Sequence, residues 1–229
     1  MKKLLALLAV LLMLTGCSSA PAQKTDEELM AEGWVKNPLE NGYILQAELP
    51  DTIDVTKKYK DADGNEVDCA AGVYAAACSA IDSTNFLDYA HRDDILYIDV
   101  RDFGDYAKKH LKNFEVIPYF ALVFDAEAGT EGKPQLFSGT VKEPVATYKE
   151  SVELLEVFFP KDKTIFLMCQ SGGRVTQLMN LLEVNGWDMN KIYNIGGMGQ
   201  YTGDEYKDYT TDSAEISIEA IYSFEGLTK

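Results

Sequence analysis

Positive charge is scarce in this chain: 21 Lys and Arg stand against 37 Asp and Glu, a net charge of −16. A surface this acidic argues against nucleic acid as a partner and against electrostatic docking on anionic lipid. It also repels small anionic substrates unless a local site offsets it. Long apolar runs are scarce too. Leu4–Leu14 holds eleven residues, too few to span a bilayer comfortably as a mature anchor. The acidic stretch Asp61-Ala62-Asp63-Gly64-Asn65 lacks the later acidic ligands and the length of a calcium loop. It reads instead as a hairpin tip between Tyr59 and Val67, and no metal is expected. Cysteine is sparse: beyond Cys17 there are Cys69, Cys78 and Cys169. An odd number outside a reducing compartment leaves one thiol over if the others pair. A Cys69–Cys78 bridge with Cys169 free suits that arithmetic. One continuous helix over 69–78 would set the two sulfurs on opposite sides, about 13.5 Å of rise apart. A bridge therefore needs a break, for instance at Gly72, and both possibilities stay open.

The amino terminus carries an address. Lys2 and Lys3 precede the apolar run, which ends in Leu14-Thr15-Gly16-Cys17. These residues resemble the bacterial lipobox. The resemblance implies removal of residues 1–16 as a signal peptide, lipidation of Cys17, and an extracytoplasmic protein lipid-anchored to the cell membrane, touching it through that anchor only. A plain cleaved secretory signal is the alternative. Cleavage would remove two lysines and no acids, moving the net charge from −16 to −18. Residues 17–40 then form a lipidated tether, with Ser18–Gln23 flexible and one helical turn around Glu27–Glu32.

Residues 41–80 read as an N-terminal extension, with short strands over Gly42–Leu49 and Thr52–Thr56 and an alanine-rich stretch over 69–80. So many small side chains imply close packing of a neighbouring backbone or helix. From Ile81 the pattern alternates helix and strand. Asp82 or Ser83 caps a short helix bearing Phe86, Leu87 and Ala90, and Ile95–Arg101 is a continuous apolar strand of the kind buried in parallel sheets. Val116–Tyr119 reads as a further short strand, and 123–147 as an insertion or long loop without periodicity. Tyr148–Phe159 is helical, with Val152, Leu155 and Phe159 on one face and Pro160 ending it. After Gly186 closes a later helix, Lys191–Met198 holds the last core strand. The alternation of Ile216, Ile218, Ala220, Tyr222 and Phe224 reads as an edge strand in a C-terminal tail, 206–229, placed to pair with residues 43–56. No internal repeat is present.

The stretch that promises chemistry is Cys169-Gln170-Ser171-Gly172-Gly173-Arg174. The apolar run Thr164–Met168 enters it, and Val175, Leu178, Met179 and Leu182 leave it at helical spacing. A thiol thus stands where a strand ends and a helix begins. The first helical N–H groups lack partners there and the helix dipole is positive, so a thiolate is favoured. Two glycines let the backbone curl its N–H groups toward one centre, and Arg174 adds a permanent charge.

The loop resembles the active-site loop of rhodaneses, sulfurtransferases whose single-domain members often read Cys-x-Ser-Gly-x-Arg. Tyr97–Arg101 resembles the family's Ile-Asp-Val-Arg strand, and Lys191–Met198 its last strand with a glycine pair. Asp105, Tyr106 and His110-Leu111 also match in position, but Lys109 and Lys112-Asn113-Phe114 replace the family's glycines and proline, and Tyr201 stands near its usual Trp. The resemblance covers residues 81–205. It implies an α/β, three-layer rhodanese-like domain with a central, mostly parallel sheet, and sulfur transfer with Cys169 as nucleophile and persulfide carrier. Gln170, Ser171, Gly172, Gly173 and Arg174 would bind substrate, through backbone amides, a serine hydroxyl and a guanidinium. His110, Asp99 and Arg101 would be structural. No cofactor is implied; the partner is a small sulfur donor or a protein persulfide, with a thiol or cyanide as acceptor. Four residues separate Cys169 from Arg174, one fewer than in the Cys-x5-Arg loop of cysteine phosphatases. That leaves less room for a tetrahedral phosphate, or for arsenate chemistry. A binding or scaffold domain with little turnover is the other class to weigh.

Overall fold

The computed structural model describes residues 24–37, 42–45, 52–55, 60, 63–66, 68–90, 92–211 and 223–229. The expected signal peptide, Cys17 and the alternating tail over 216–222 lie outside them. The chain enters through α1 (Asp26–Ala31), whose start is a reciprocal capping box. Thr25 Oγ1 accepts from the Glu28 N–H at 3.3 Å, and Glu28 Oε2 accepts from the Thr25 N–H at 2.8 Å. Strands β1 (Trp34–Asn37) and β2 (Gly42–Leu45) pair antiparallel. The acidic turn behaves as expected: Lys60 and Glu66 bridge antiparallel across Gly64, whose φ of +85° suits a residue without a side chain. Residues 53–55 are not a strand.

Cys69 and Cys78 form a disulfide, with Cα atoms 5.6 Å apart. The helix that would have kept them apart does not form. Gly72 turns at φ +81°, and only Ala76–Cys78 make a short 3-10 turn.

Four parallel strands make the centre: β3 (Ile95–Asp99), β5 (Glu115–Val116), β8 (Thr164–Cys169) and β9 (Ile192–Gly197), in the order β5-β3-β8-β9. Between them lie α2 (Phe103–Lys108), β4 (His110–Leu111), β6 (Phe137–Gly139), β7 (Pro144–Ala146), α3 (Ser151–Phe158) and α4 (Gly173–Val184). The sheet is apolar on both faces because its strands alternate. Ile165, Leu167 and Cys169 of β8 face Leu155, Phe159, Val175, Leu178 and Leu182. Phe166 and Met168 face the opposite layer, where Phe86 sits among Tyr97, Phe114, Tyr201 and Tyr206 at ring distances of 5.5–6.5 Å. This is the three-layer α/β arrangement expected.

Some local expectations fail for physical reasons. Asp82 caps no α-helix: its carboxylate accepts from the Thr84 N–H and hydroxyl, and that turn leads only to a 3-10 turn over Phe86–Asp88. The strand expected over Val116–Tyr119 stops at Val116, because Pro118 cannot donate to a ladder and Tyr119–Val123 winds as a π-helix. The helix expected from Tyr148 begins at Ser151, whose hydroxyl accepts from the Tyr148 N–H and donates to the Leu136 carbonyl. The insertion holds the β6–β7 hairpin and anchors to the core through buried Leu136 and Phe137. A short strand, β10 (Thr210–Thr211), pairs with β4. No helix among the described residues is long and apolar enough to cross a membrane.

Candidate active site

Cys169 is the last residue of β8, flanked by β3 and β9, and is 1% exposed. The next residues leave the sheet abruptly. Gly172 adopts φ +88° and serves as the N-cap of α4, a left-handed conformation costly for any side-chain-bearing residue. This turn brings the Gly172 N–H back to donate to Cys169 Sγ at 3.1 Å. Gln170, Ser171 and Gly173 are exposed at the rim, and Arg174 is half-buried in the first turn of α4. The glycine pair and Arg174 thus lie in the turn that follows the buried thiol directly. Sulfur and helix N-terminus meet as the residue order demands.

Two neighbours shape that loop. Gly197 of β9 lies opposite Cys169 in register. A Cβ on Gly197 would stand 2.2 Å from the Gln170 carbonyl oxygen and 2.6 Å from Ser171 Cα, both backbone atoms that cannot rotate away. Gly197→Ala is therefore expected to push the loop outward, costing about 1–3 kcal/mol of stability and changing the alkylation rate of Cys169. Gly199, where a Cβ would meet nothing within 4 Å, is the control. Equal melting and alkylation for the two alanine variants would contradict the close approach.

The second neighbour is Asn194, 1% exposed in β9. Its Nδ2 donates to the Gly172 carbonyl at 3.1 Å and to the Tyr74 carbonyl at 2.8 Å, while its Oδ1 accepts from the Gly196 N–H at 3.1 Å. Thr176 Oγ1 reaches the same two carbonyls, at 3.0 Å for Tyr74 and 3.2 Å for Gly172. Tyr74 belongs to the disulfide-closed alanine-rich segment. Ala76 comes so close that a Cβ on Gly172 would sit 2.9 Å from the alanine methyl. Ala76 is small enough to let this segment press against the loop, while Ala70, Ala71 and Ala75 line its outer side. A cleft of about 620 Å³ opens on the outer side of the same segment, lined by the Cys69–Cys78 bridge, Tyr74, Met179, Glu183 and Asn194, and Cys169 does not line it. The Tyr74 phenol is pushed up to about 12 by burial, with a hydrogen bond to Glu183 adding to the effect.

The residues expected to be structural are so. Arg101 Nε donates to both Asp99 oxygens at 3.0 and 2.9 Å, its Nη2 to Asp99 Oδ2 at 2.6 Å and to the Lys109 carbonyl at 2.6 Å, and its Nη1 to the Asp105 carbonyl at 3.2 Å. The pair ties the end of β3 to the middle and the C-terminal end of α2. His110 Nδ1 hydrogen-bonds the Tyr106 carbonyl at 2.8 Å and its ring stacks on Tyr106 at 3.9 Å. Lys108 holds the Asp105 carboxyl below the usual range by a hydrogen bond, with charge from Lys108, Arg101 and Arg174 reinforcing it. The divergent Lys112-Asn113-Phe114 segment is held by other means than glycines and proline. Lys112 N–H donates to the Tyr209 carbonyl, Asn113 Nδ2 to the Ala90 carbonyl, and Phe114 is buried. Tyr201, where the family's tryptophan is usual, is fully buried and donates to the Ile195 carbonyl.

A parallel α/β sheet presenting a cysteine at a strand end, under a glycine loop that starts a helix, defines the class of the site. Residues 83–204 match the family of rhodanese-like domains, and the chain belongs to that family. Solved structures similar to it include an E. coli rhodanese with anions, at 20% identity over 47% of this chain and 92% of that one, TM-score 0.30. A rhodanese-like domain from an Anabaena protein is 15% identical over 62% of this chain and 85% of that one, TM-score 0.36. A Staphylococcus saprophyticus protein is 21% identical over 65% and 97%, TM-score 0.32. None of the curated proteins matches the chain.

Proposed function

We propose that this protein is an extracytoplasmic sulfurtransferase that carries sulfane sulfur as a persulfide on Cys169. The observation that carries this reading is the Gly172 N–H aimed at Cys169 Sγ from the N-cap of a helix. An oriented donor at a dipole's positive end stabilises negative charge on sulfur, in the thiolate and again in the persulfide. The cysteine thiolate attacks the outer sulfur of a donor R–S–S⁻. A new S–S bond forms on Cys169 as the donor's own S–S bond breaks, and R–S⁻ leaves with the electron pair. A thiolate or cyanide acceptor then attacks the terminal sulfur and returns the Cys169 thiolate. Gln170, Ser171, Gly173 and Arg174 form the rim that meets the donor.

The net charge of −16 works against a dianionic donor such as thiosulfate and favours a small persulfide, a polysulfide or a partner protein's persulfide. The lipobox-like Leu14–Cys17 supports an anchored, extracytoplasmic site, and the Cys69–Cys78 disulfide suits an oxidising compartment. Burial of the thiol to 1% exposure favours a second reading, a binding or scaffold domain with little turnover. Mild polysulfide treatment separates them. The Cys169 peptide of the native protein is expected to gain one sulfur mass and to lose it to cyanide. A Cys169 peptide that never gains it points to the binding domain.

A further inference from the structure

We propose that Asn194 is a positioning residue for the Cys169 loop, and that it works by joining Gly172 to the disulfide-closed segment 69–78. This deepens the reading of Cys169 as the nucleophile and rests on it.

The hydrogen bond to sulfur depends on Gly172 holding a left-handed conformation. Glycine reaches that region readily but does not prefer it, so something must hold it there. The Gly172 carbonyl is the point of attachment. It accepts from the Thr176 N–H at 3.0 Å, as the first turn of α4 requires, and also from Thr176 Oγ1 and from Asn194 Nδ2. Asn194 is itself held at both ends, by the Gly196 N–H on its oxygen and by the Tyr74 carbonyl on its nitrogen. The Tyr74 carbonyl lies 120 residues away in sequence from Asn194, in a segment without regular strand or α-helix. Its place is set by the bridge between Cys69 and Cys78, which closes the segment on itself. Ala76 then blocks the space beside Gly172. The chain of contacts runs from bridge to Tyr74 carbonyl, to Asn194, to the Gly172 carbonyl, and so to the N–H on sulfur. A buried amide with both ends engaged holds one geometry, because any rotation would leave a polar group unpaired.

The test is the pH profile of Cys169 alkylation by a small reagent, read on the Cys169 peptide by mass spectrometry and normalised to its own high-pH plateau. Normalisation matters, because a loosened loop alters access and so the plateau, whereas the midpoint reports how well the anion is held. Asn194→Ala is expected to move the profile to higher pH, so that the fraction of plateau rate reached at pH 7 falls about three-fold, the worth of part of one hydrogen bond to a charged group. Cys69→Ser/Cys78→Ser should move it the same way, and combining both changes should add little, since both act through one carbonyl chain. Thr176→Val should give a smaller shift in the same direction. Profiles that superimpose on the native one overturn the proposal. Should Asn194→Ala fail to fold, the paired serine variant and Thr176→Val decide it alone. Alkylation needs no sulfur donor. Unmoved profiles with normal sulfur loading therefore reject the positioning role, while moved profiles without loading reject sulfur transfer.

Discussion

Cys169→Ser is expected to abolish sulfur loading while leaving the fold in place. A serine hydroxyl is not ionised near neutral pH and forms no stable equivalent of the persulfide, so the loss should be complete rather than partial. The replacement fits the site. Serine is slightly smaller than cysteine, and its oxygen sits where the Gly172 N–H already donates. The cost is a hydroxyl placed among Ile165, Leu167 and Val175, on the order of 1 kcal/mol with that hydrogen bond kept. Native and Cys169→Ser proteins should thus melt within a few degrees of each other and differ entirely in sulfur mass gained. Equal sulfur uptake by the two would place the carrier elsewhere. Cys69 and Cys78 are not ready substitutes, since their sulfurs are spent on each other.

The loop around Cys169 was legible in the sequence because its signals are local. An apolar strand, two glycines and a helical stripe lie within nineteen positions, 164–182, and each constrains its neighbours directly. The supports of that loop were not legible in the same way. Asn194 and Thr176 look like ordinary polar residues in a strand and a helix, and their common partner is a backbone carbonyl at Tyr74, which carries no signal of its own. The alanine run over 69–80 did announce close packing, but not against what. The bridge was undecidable because it turned on whether Gly72 breaks a helix, and a chain with five alanines nearby gives no local answer. The short elements at Asp82 and Pro118 went astray where a side-chain turn or a proline competed with regular structure. The lesson lies in range: local chemistry reads from the chain, and what holds it in register comes from far along it.

Arg101→Met is expected to be the most damaging single change to stability, because it strands a charge that has no other exit. Asp99 is fully buried and Arg101 is 2% exposed. Besides the Arg101 N–H, which also donates to Asp99 Oδ1, the carboxylate takes its hydrogen bonds from the guanidinium. Removing one member of a buried pair leaves the other charge without water and with a single backbone N–H as donor, at a cost of about 3–5 kcal/mol. That is a large share of the stability of an ordinary domain. The Lys109 and Asp105 carbonyls would lose donors as well, so the α2 turn and the His110–Leu111 strand beyond it should loosen together. Asp99→Leu/Arg101→Met removes the orphaned carboxylate and should recover part of the loss, but not the part owed to those two carbonyls. Denaturant unfolding of the native, single and double variants measures both. A loss below about 1 kcal/mol for Arg101→Met would mean that the pair behaves as a surface ion pair, contrary to its burial. The site would feel the loss through the sheet, since Asp99 pairs with Met168 in register, one residue before the cysteine.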